Sequence, residues 1–381
     1  MHLETLTFDP VQGWSTDPAS FRDSERTLVV VFGASSYLDA TGPIETLVAA
    51  YPRAHFVGCS TSGEIFGDLI QDGTLSVAVV EFEGSRLETA SASVASSAGS
   101  FEAGASIARS LRRDDLRAVL VTSDGLGVNG SELVRGLNSV LPPTVIVTGG
   151  LAGDGDRFRR TWVLADGRPV QGAVAAVGFY GDRVRIGHGS RGGWDRFGPE
   201  RVVTRSVGNV LYELDGKPAL DLYKTYLGAR AAGLPATALL FPLALRTQAA
   251  DAKVLVRTIL SVDEGARSMT FAGDIPQGSL AQLMRANFER LIEGASQAAR
   301  YTQEEGGGAC PGDVLALAVS CVGRRLILGQ RAEEEVAATL ERLPRNARQI
   351  GFYSYGEISP WATGACDLHN QTMTLTTIAE S

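Results

Sequence analysis

The sequence is poor in the residues that usually announce chemistry. It has four histidines and four cysteines in 381 residues. The cysteines, Cys59, Cys310, Cys321 and Cys366, are widely scattered and none forms a C-x-x-C. Neither a zinc spacing nor a redox pair is present, so free thiols behaving as small buried hydrophobes are expected. Positive charge is also scarce. Lys and Arg number 35 against 43 Asp and Glu, a net charge of −8. A nucleic-acid footprint or a polybasic membrane anchor needs clustered cations, so neither partner is expected. No run approaches the roughly 18 apolar residues of a membrane span. The longest, Ala236 to Leu245, is broken by Pro242 and predicts a buried strand. The opening MHLETLTFDP has no apolar signal-peptide core, and a cytoplasmic location is expected. There is no P-loop, no H-E-x-x-H, no G-x-G-x-x-G after a strand and no G-x-S-x-G nucleophile elbow.

What the chain does have is a hydrophobic share of 44 %, enough for two domains, and an internal repeat. Three segments share one plan: apolar strand, amphipathic helix, proline, second strand, then a Gly-acid pair. The first runs from Leu28–Phe32 through a helix opened by Gly42–Pro43 and stopped at Pro52, to Gly58-Cys-Ser-Thr-Ser-Gly-Glu64-Ile. The second runs from Ala118–Thr122 through a helix beginning near Ser131 and stopped at Pro142–Pro143, to Gly149-Gly-Leu-Ala-Gly153-Asp154. The third runs from Val314–Ser320 through Val336, Leu340 and Pro344 to Gly351-Phe-Tyr-Ser-Tyr-Gly356-Glu357-Ile. Alignment of the three takes Gly63, Gly153 and Gly356 as equivalent. Glycine supplies positive φ or close backbone approach. Small polar residues at a strand's carboxyl end present N–H groups and hydroxyls where open α/β sheets bind ligands. The plain alternative is a tight turn with Glu64 and Glu357 in solvent.

Between the repeats, Leu75–Phe82 and Leu87–Val94 read as a hairpin around Glu83-Gly-Ser. Asp166-Gly167 reads as a second hairpin turn. Ser279-x-x-Gln282 reads as a capping box opening a helix with Leu280, Leu283, Met284, Phe288, Leu291 and Ile292 on one face. Glu304-Glu-Gly-Gly-Gly308 reads as a linker. The fold expected is mixed α/β (α+β), with duplicated strand-helix-strand units and mixed sheets.

These motifs resemble the FIST family. The resemblance runs from about Thr27 to the C-terminus. It rests on Val57–Ile65, Gly149–Asp154, Gly187-His-Gly-Ser-Arg-Gly-Gly-Trp194, Phe197-Gly-Pro199, Leu211–Ala219, Gly351–Ile358 and His369–Leu375. It implies a lead segment 1–26, an N-terminal domain 27–222 and a C-terminal domain 223–381. It further implies an intracellular sensory module that binds small ligands such as amino acids. Some members are haemoproteins that sense nitric oxide and regulate a partner histidine kinase or cyclic-di-GMP enzyme. FIST domains are often fused to such outputs. Nothing here is left over for one, so a stand-alone sensor acting on a separate protein is expected.

Candidate site residues follow. For an amino acid or similar metabolite, Arg191 would hold the carboxylate, and Glu64, Glu357 or Asp154 would meet the ammonium. Ser60, Thr61, Ser354 and Asn370 would add neutral hydrogen bonds around Gly63. Tyr353, Tyr355, Trp194 and Trp361 would form walls, as in pockets that combine apolar surfaces with a few convergent polar groups. For haem, His188 between Gly187 and Gly189 is the first candidate axial ligand, and Cys59 or Tyr353 the next. The enzymatic alternative is a hydrolase-like site using Glu64 with Glu357, or Cys59 with His55 or His188.

Overall fold

A computed structural model of the chain describes residues 1–246, 254–305, 312–361 and 364–381. Its framework is three copies of one five-element unit. The first is β1 (Thr27–Gly33), α1 (Gly42–Ala50), β2 (His55–Ser60), β3 (Glu64–Phe66) and β4 (Leu75–Glu81). The second is β5 (Leu116–Ser123), α2 (Gly130–Asn138), β6 (Ile146–Leu151), β7 (Val163–Ala165) and β8 (Ala173–Tyr180). The third is β9 (Val314–Cys321), α3 (Ala332–Leu340), β10 (Ala347–Ser354), β11 (Gly356–Pro360) and β12 (Met373–Glu380). In each copy the strands flanking the helix pair in parallel and the last strand returns antiparallel beside the first.

The fourth strand of each copy leaves home. β3 pairs with β10 of the third copy, β11 with β6 of the second, and β7 with β2 of the first. The exchange closes on itself and gives a pseudo-threefold triangle of three mixed sheets. Their inner faces share one core, with Val30 and Phe32, Leu120 and Val177, and Leu317 and Phe352. Their outer faces pack separately, Val31 on Ile44 and Leu47 of α1, Val121 on Leu133 and Leu137 of α2, Ala318 on Val336 of α3. Strands buried on both faces read as unbroken apolar runs, which is why Leu28–Phe32 and Val314–Ser320 stand out in the sequence.

An all-antiparallel, eight-stranded sheet is inserted ahead of the third copy. It spans the strands from Asp195–Val207 to Leu280–Arg285, between the strand Val184–Arg191 and the helix Phe288–Glu305. It has its own core around Val203, Leu211, Tyr223 and Phe271.

Three local expectations fail. The segment after Ser279 is a strand, Leu280–Arg285, held between Leu243–Arg246 and Asp195–Val207, and the helix starts only at Phe288. Gln282 donates to the Gly198 carbonyl and caps nothing; ladder pairing on both sides overrides the helical spacing. Leu75–Phe82 and Leu87–Val94 are not a hairpin, because β4 joins the first sheet while Arg86–Ser93 pairs with β8 in the second. Ala236–Leu245 is half 3-10 helix (Ala236–Leu240), and only Leu243–Arg246 is a strand. The Asp166-Gly167 turn does close a hairpin, with both residues at positive φ. The linker expected at Glu304–Gly308 overlaps the end of the helix Phe288–Glu305; its remaining residues, and Cys310, lie outside the described residues.

Candidate functional site

The three second strands end against one another. Ser62 N–H donates to the Tyr353 carbonyl at 2.8 Å, Tyr355 N–H to that of Leu151 at 3.1 Å, and Gly153 N–H to that of Ser60 at 2.8 Å. Each donor lies two residues beyond the acceptor of its own copy, so three hydrogen bonds form a closed ring around the axis. The ring corrects the sequence alignment: Gly153 is the counterpart of Ser62 and Tyr355. Sheet register makes Glu64, Glu357 and Val163 equivalent, because they face Phe352, Gly150 and Cys59. The second copy carries extra chain between Asp154 and Trp162 and has no carboxylate at that place.

The two matching glutamates are braces inside their own copies. Glu64 accepts from the Thr61 hydroxyl and from both N–H and hydroxyl of Thr74, at 3.0 Å each for the latter two. Glu357 accepts from the Ser354 hydroxyl at 2.7 Å, Thr372 N–H at 3.2 Å and Thr372 hydroxyl at 2.8 Å. Both side chains are buried, which removes the solvated alternative. Burial pushes Glu64 up to about 7 and Glu357 up to about 8, against the pull of those donors. The Gly63 loop is covered by Arg325, which donates to the Ser62 carbonyl and pairs with Asp72. Ser60 is engaged with Trp162, and Tyr353 is buried with its hydroxyl on Glu335. Among the described residues, neither glutamate lines a described cavity, and nothing places the two carboxyls on a common substrate. Cys59 lies in the shared core and burial holds its thiol well above its ordinary value, so it is no thiolate.

Asp154 organises the extra chain of the second copy. Its carboxylate receives Ser35 Oγ, Arg157 Nε at 2.9 Å and the N–H groups of Arg159 and Arg160 at 3.1 and 3.2 Å. Burial alone would raise it; the hydrogen bonds outweigh that and hold it below its ordinary value. Within this loop Phe158 has φ of 51°, a left-handed conformation that costs a non-glycine residue about 1 kcal/mol or more. Its ring stacks on Tyr355 at 4.5 Å between centroids and 13° between planes.

That stacked pair stands at the mouth of a cavity of about 350 Å³ between the triangle and the inserted sheet. The triangle contributes strand carboxyl ends and the loops after them, including Gly125, Leu151, Cys321 and Tyr355; the insert contributes Asn209, Thr258, Leu260 and Phe271. Leu126, Phe158 and Leu260 at the rim are 42 to 48 % exposed, an apolar patch drawn from two loops of the triangle and a strand of the insert. Thr258 is buried, and its Oγ1 has no partner among the described residues. Both polar atoms of Asn370, and both of its neighbour Gln371, are likewise buried without partners among the described residues. Gln371 packs against Gly323, which lines the cavity, and Asn370 lies beside Gly356. Sequence reasoning named Tyr355 and Asn370 but missed Phe158, Thr258 and Leu260. Only the turn-rich Gly153–Arg160 stretch hinted at a loop, and nothing local paired it with the insert.

A family model for the FIST N domain matches residues 27–217, and one for the FIST C domain matches 219–360. The chain belongs to the FIST family. FIST domains are known sensory, ligand-binding modules, which supports a sensory role. The boundary between the two FIST matches falls inside the inserted sheet, since the strands flanking 217–218 pair there. No curated protein matches the chain. Among solved structures, a cyanuric acid hydrolase from A. caulinodans aligns over 99 % of this chain and 98 % of its own at 9 % identity and a TM-score of 0.38; that likeness carries no argument. Among the described residues of this FIST protein, no helix is long and apolar enough to cross a membrane.

The other FIST motif, Gly187–Trp194, sits elsewhere. Arg191 donates to Tyr301 at 2.8 Å and lies over its ring, and Trp194 donates to the Gln371 carbonyl at 2.8 Å. Both line a cavity of about 230 Å³ with Arg196, Trp361 and His369. His188 does not. A side chain at Gly187 or Gly189 would run into the Thr302 or Ala298 carbonyl of the helix Phe288–Glu305. Strand alternation puts His188 on the opposite face, with Ile186 of the shared core. The close approach that the flanking glycines permit is taken by a helix, so haem held by His188 does not fit.

Proposed function

We propose that this FIST protein is a small-ligand sensor whose ligand occupies the cavity between the triangle and the inserted sheet. The observation that carries the reading is the buried hydroxyl of Thr258, a residue that lines a cavity rimmed by Leu126, Phe158 and Leu260, with no partner among the described residues. Buried polar groups are normally hydrogen-bonded, and exposed apolar rims mark binding sites. A ligand touching both units favours one relative arrangement of them, which is the differential contact that a switch requires. Family resemblance suggests the output: a separate histidine kinase or cyclic-di-GMP enzyme. The test is a thermal-shift screen of metabolites on the wild type and on Ala272→Phe, which fills the cavity from the insert side. At 100-fold excess over Kd, a ligand should raise Tm by about 3 °C, and the variant should lose the rise. A rise that survives in Ala272→Phe moves the site elsewhere.

A second reading places an acidic ligand in the smaller cavity, favoured by Arg191 and Arg196 lining it with no Asp or Glu among the described residues of its walls. Arg191→Ala should then weaken binding of a carboxylate ligand by calorimetry without unfolding the chain; unchanged affinity removes Arg191 from the site.

A further inference from the structure

The cavity beneath Phe158 has a property that bears on what it binds. None of its lining residues, among the described residues, is Asp, Glu, Lys, Arg or His. Its cysteine adds no charge either, since burial pushes the Cys321 thiol above its ordinary value. A ligand with a formal charge would leave water there without a counter-ion, at a cost of several kcal/mol. The aromatic platform at the mouth has its own meaning. Phe158 stacks one face on Tyr355 and remains about half exposed. Its backbone is held in a strained conformation by the hydrogen bonds that Asp154 makes to the loop on either side. Strain that persists at an exposed ring suggests a use for the ring's position, and a ring is best met by another flat ring. Deeper in, the Thr258 hydroxyl offers one donor and two acceptor sites and has no partner among the described residues.

We infer that the ligand is an uncharged planar ring compound with a hydrogen-bonding edge of lactam or N–H type, stacked at Phe158 and hydrogen-bonded to Thr258. The inference rests on the cavity being the ligand site. It departs from the amino-acid expectation, because a zwitterion brings two charges to a wall that answers neither. It assigns three separable roles: Phe158 stacks, Thr258 reads the polar edge, and the lack of charged walls rejects ions.

The experiment is isothermal calorimetry on the full chain with four probes: indole and 2-quinolone as neutral rings, tryptophan and indole-3-acetate as charged ones. The neutral rings should bind at least ten-fold more tightly than the charged ones. Phe158→Ala should weaken both neutral probes several-fold. Thr258→Val, nearly isosteric, should weaken 2-quinolone by about ten-fold and indole less. Phe158 is exposed and its replacement leaves the core intact; the probe ranking on the wild type needs no variant at all. If tryptophan or indole-3-acetate binds as tightly as indole and Ala272→Phe abolishes that binding, the site stands and the neutral-ring inference falls. If none of the neutral rings binds at millimolar concentration, the inference also falls, and the metabolite screen alone decides the site. If the neutral rings bind equally well to Phe158→Ala and Ala272→Phe, both fail together.

Discussion

The first and third copies of the repeat differ from the second in one place, and the difference separates structure from use. In the outer copies the exchange strand carries a glutamate at its first or second position, Glu64 or Glu357, enclosed by hydroxyls of its own copy. In the second copy the equivalent place is Val163, and the chain detours through Asp154 to Trp162 before reaching it. The outer motifs, which look most like a site in the sequence, satisfy themselves. The copy that lost the motif supplies the loop that carries Phe158 to the cavity. The matching parts of the repeat are spent on packing, and the exception, the loop that carries Phe158, reaches the cavity.

The strongest way to break the symmetric side is through the third copy's buried ion pair. Arg324 and Glu335 are both fully buried, 2.7 Å apart at Nε–Oε2, with Arg324 also donating to the Leu291 carbonyl and Glu335 accepting from Ser320. Glu335→Ala should cost about 3–5 kcal/mol by leaving Arg324 uncompensated, measured by urea denaturation. A loss under 1 kcal/mol would mean that water reaches the guanidinium.

Next comes pH. Glu64 and Glu357 ordinarily titrate at 4.5, and burial raises them to about 7 and about 8. A raised folded-state value means that the unfolded chain loses these protons first. Their contribution to stability is therefore fully present below about pH 4.5 and is lost as pH rises through 7 and 8. Moving a carboxyl's midpoint by one pH unit between the folded and unfolded chain is worth about 1.4 kcal/mol. The double variant Glu64→Gln, Glu357→Gln should flatten the stability profile over that window; an unchanged slope between pH 5 and 8 would show the carboxyls ionised throughout.

On the divergent side the expected effects on stability shrink while those on binding grow. Asp154→Ala should cost about 1–3 kcal/mol, because the loop's N–H groups, Ser35 and Arg157 lose a buried acceptor, and should also weaken ligand binding because Phe158 loses its anchor. Full stability with full binding in Asp154→Ala would show that the loop holds itself. Smallest in stability is Phe158→Gly, which trades lost stacking for relief of left-handed strain and should change stability by less than about 1 kcal/mol. The same variant should lose most of the ligand-induced rise in Tm.

The sequence exposed what is local and hid what is distant. The three strand-helix-strand copies were legible because double-sided burial gives unbroken apolar runs and a proline closes each helix. The exchange was not legible, because no local signal says that Glu64 will lie beside Phe352. Ser279–Arg285 misled for the same reason: Leu280, Leu283 and Met284 keep helical spacing, yet two distant strands claim them. At the site, Tyr355 and Asn370 could be named from motifs beside the axis. Phe158 and Thr258 could not, since one lies in an insertion and the other in a separate sheet. Gly58, Gly149 and Gly351 were legible as places of close approach: a side chain at any of them would collide with the carbonyl of Val31, Val121 or Ala318 in the neighbouring parallel strand.

The strand exchange also sets a schedule for synthesis. The Glu64–Phe66 segment can form its local hairpin with Leu69–Gln71 as soon as both have emerged, but its sheet is built on Ala347–Ser354, which is made much later. Until Ala347–Ser354 has been made, the Glu64 carboxyl stays in water, and the edge it belongs to stays open. A strand of the first copy is thus seated only after a strand of the third has been made, and the nascent chain carries that open edge throughout the interval, when unpaired edges are most exposed to wrong partners.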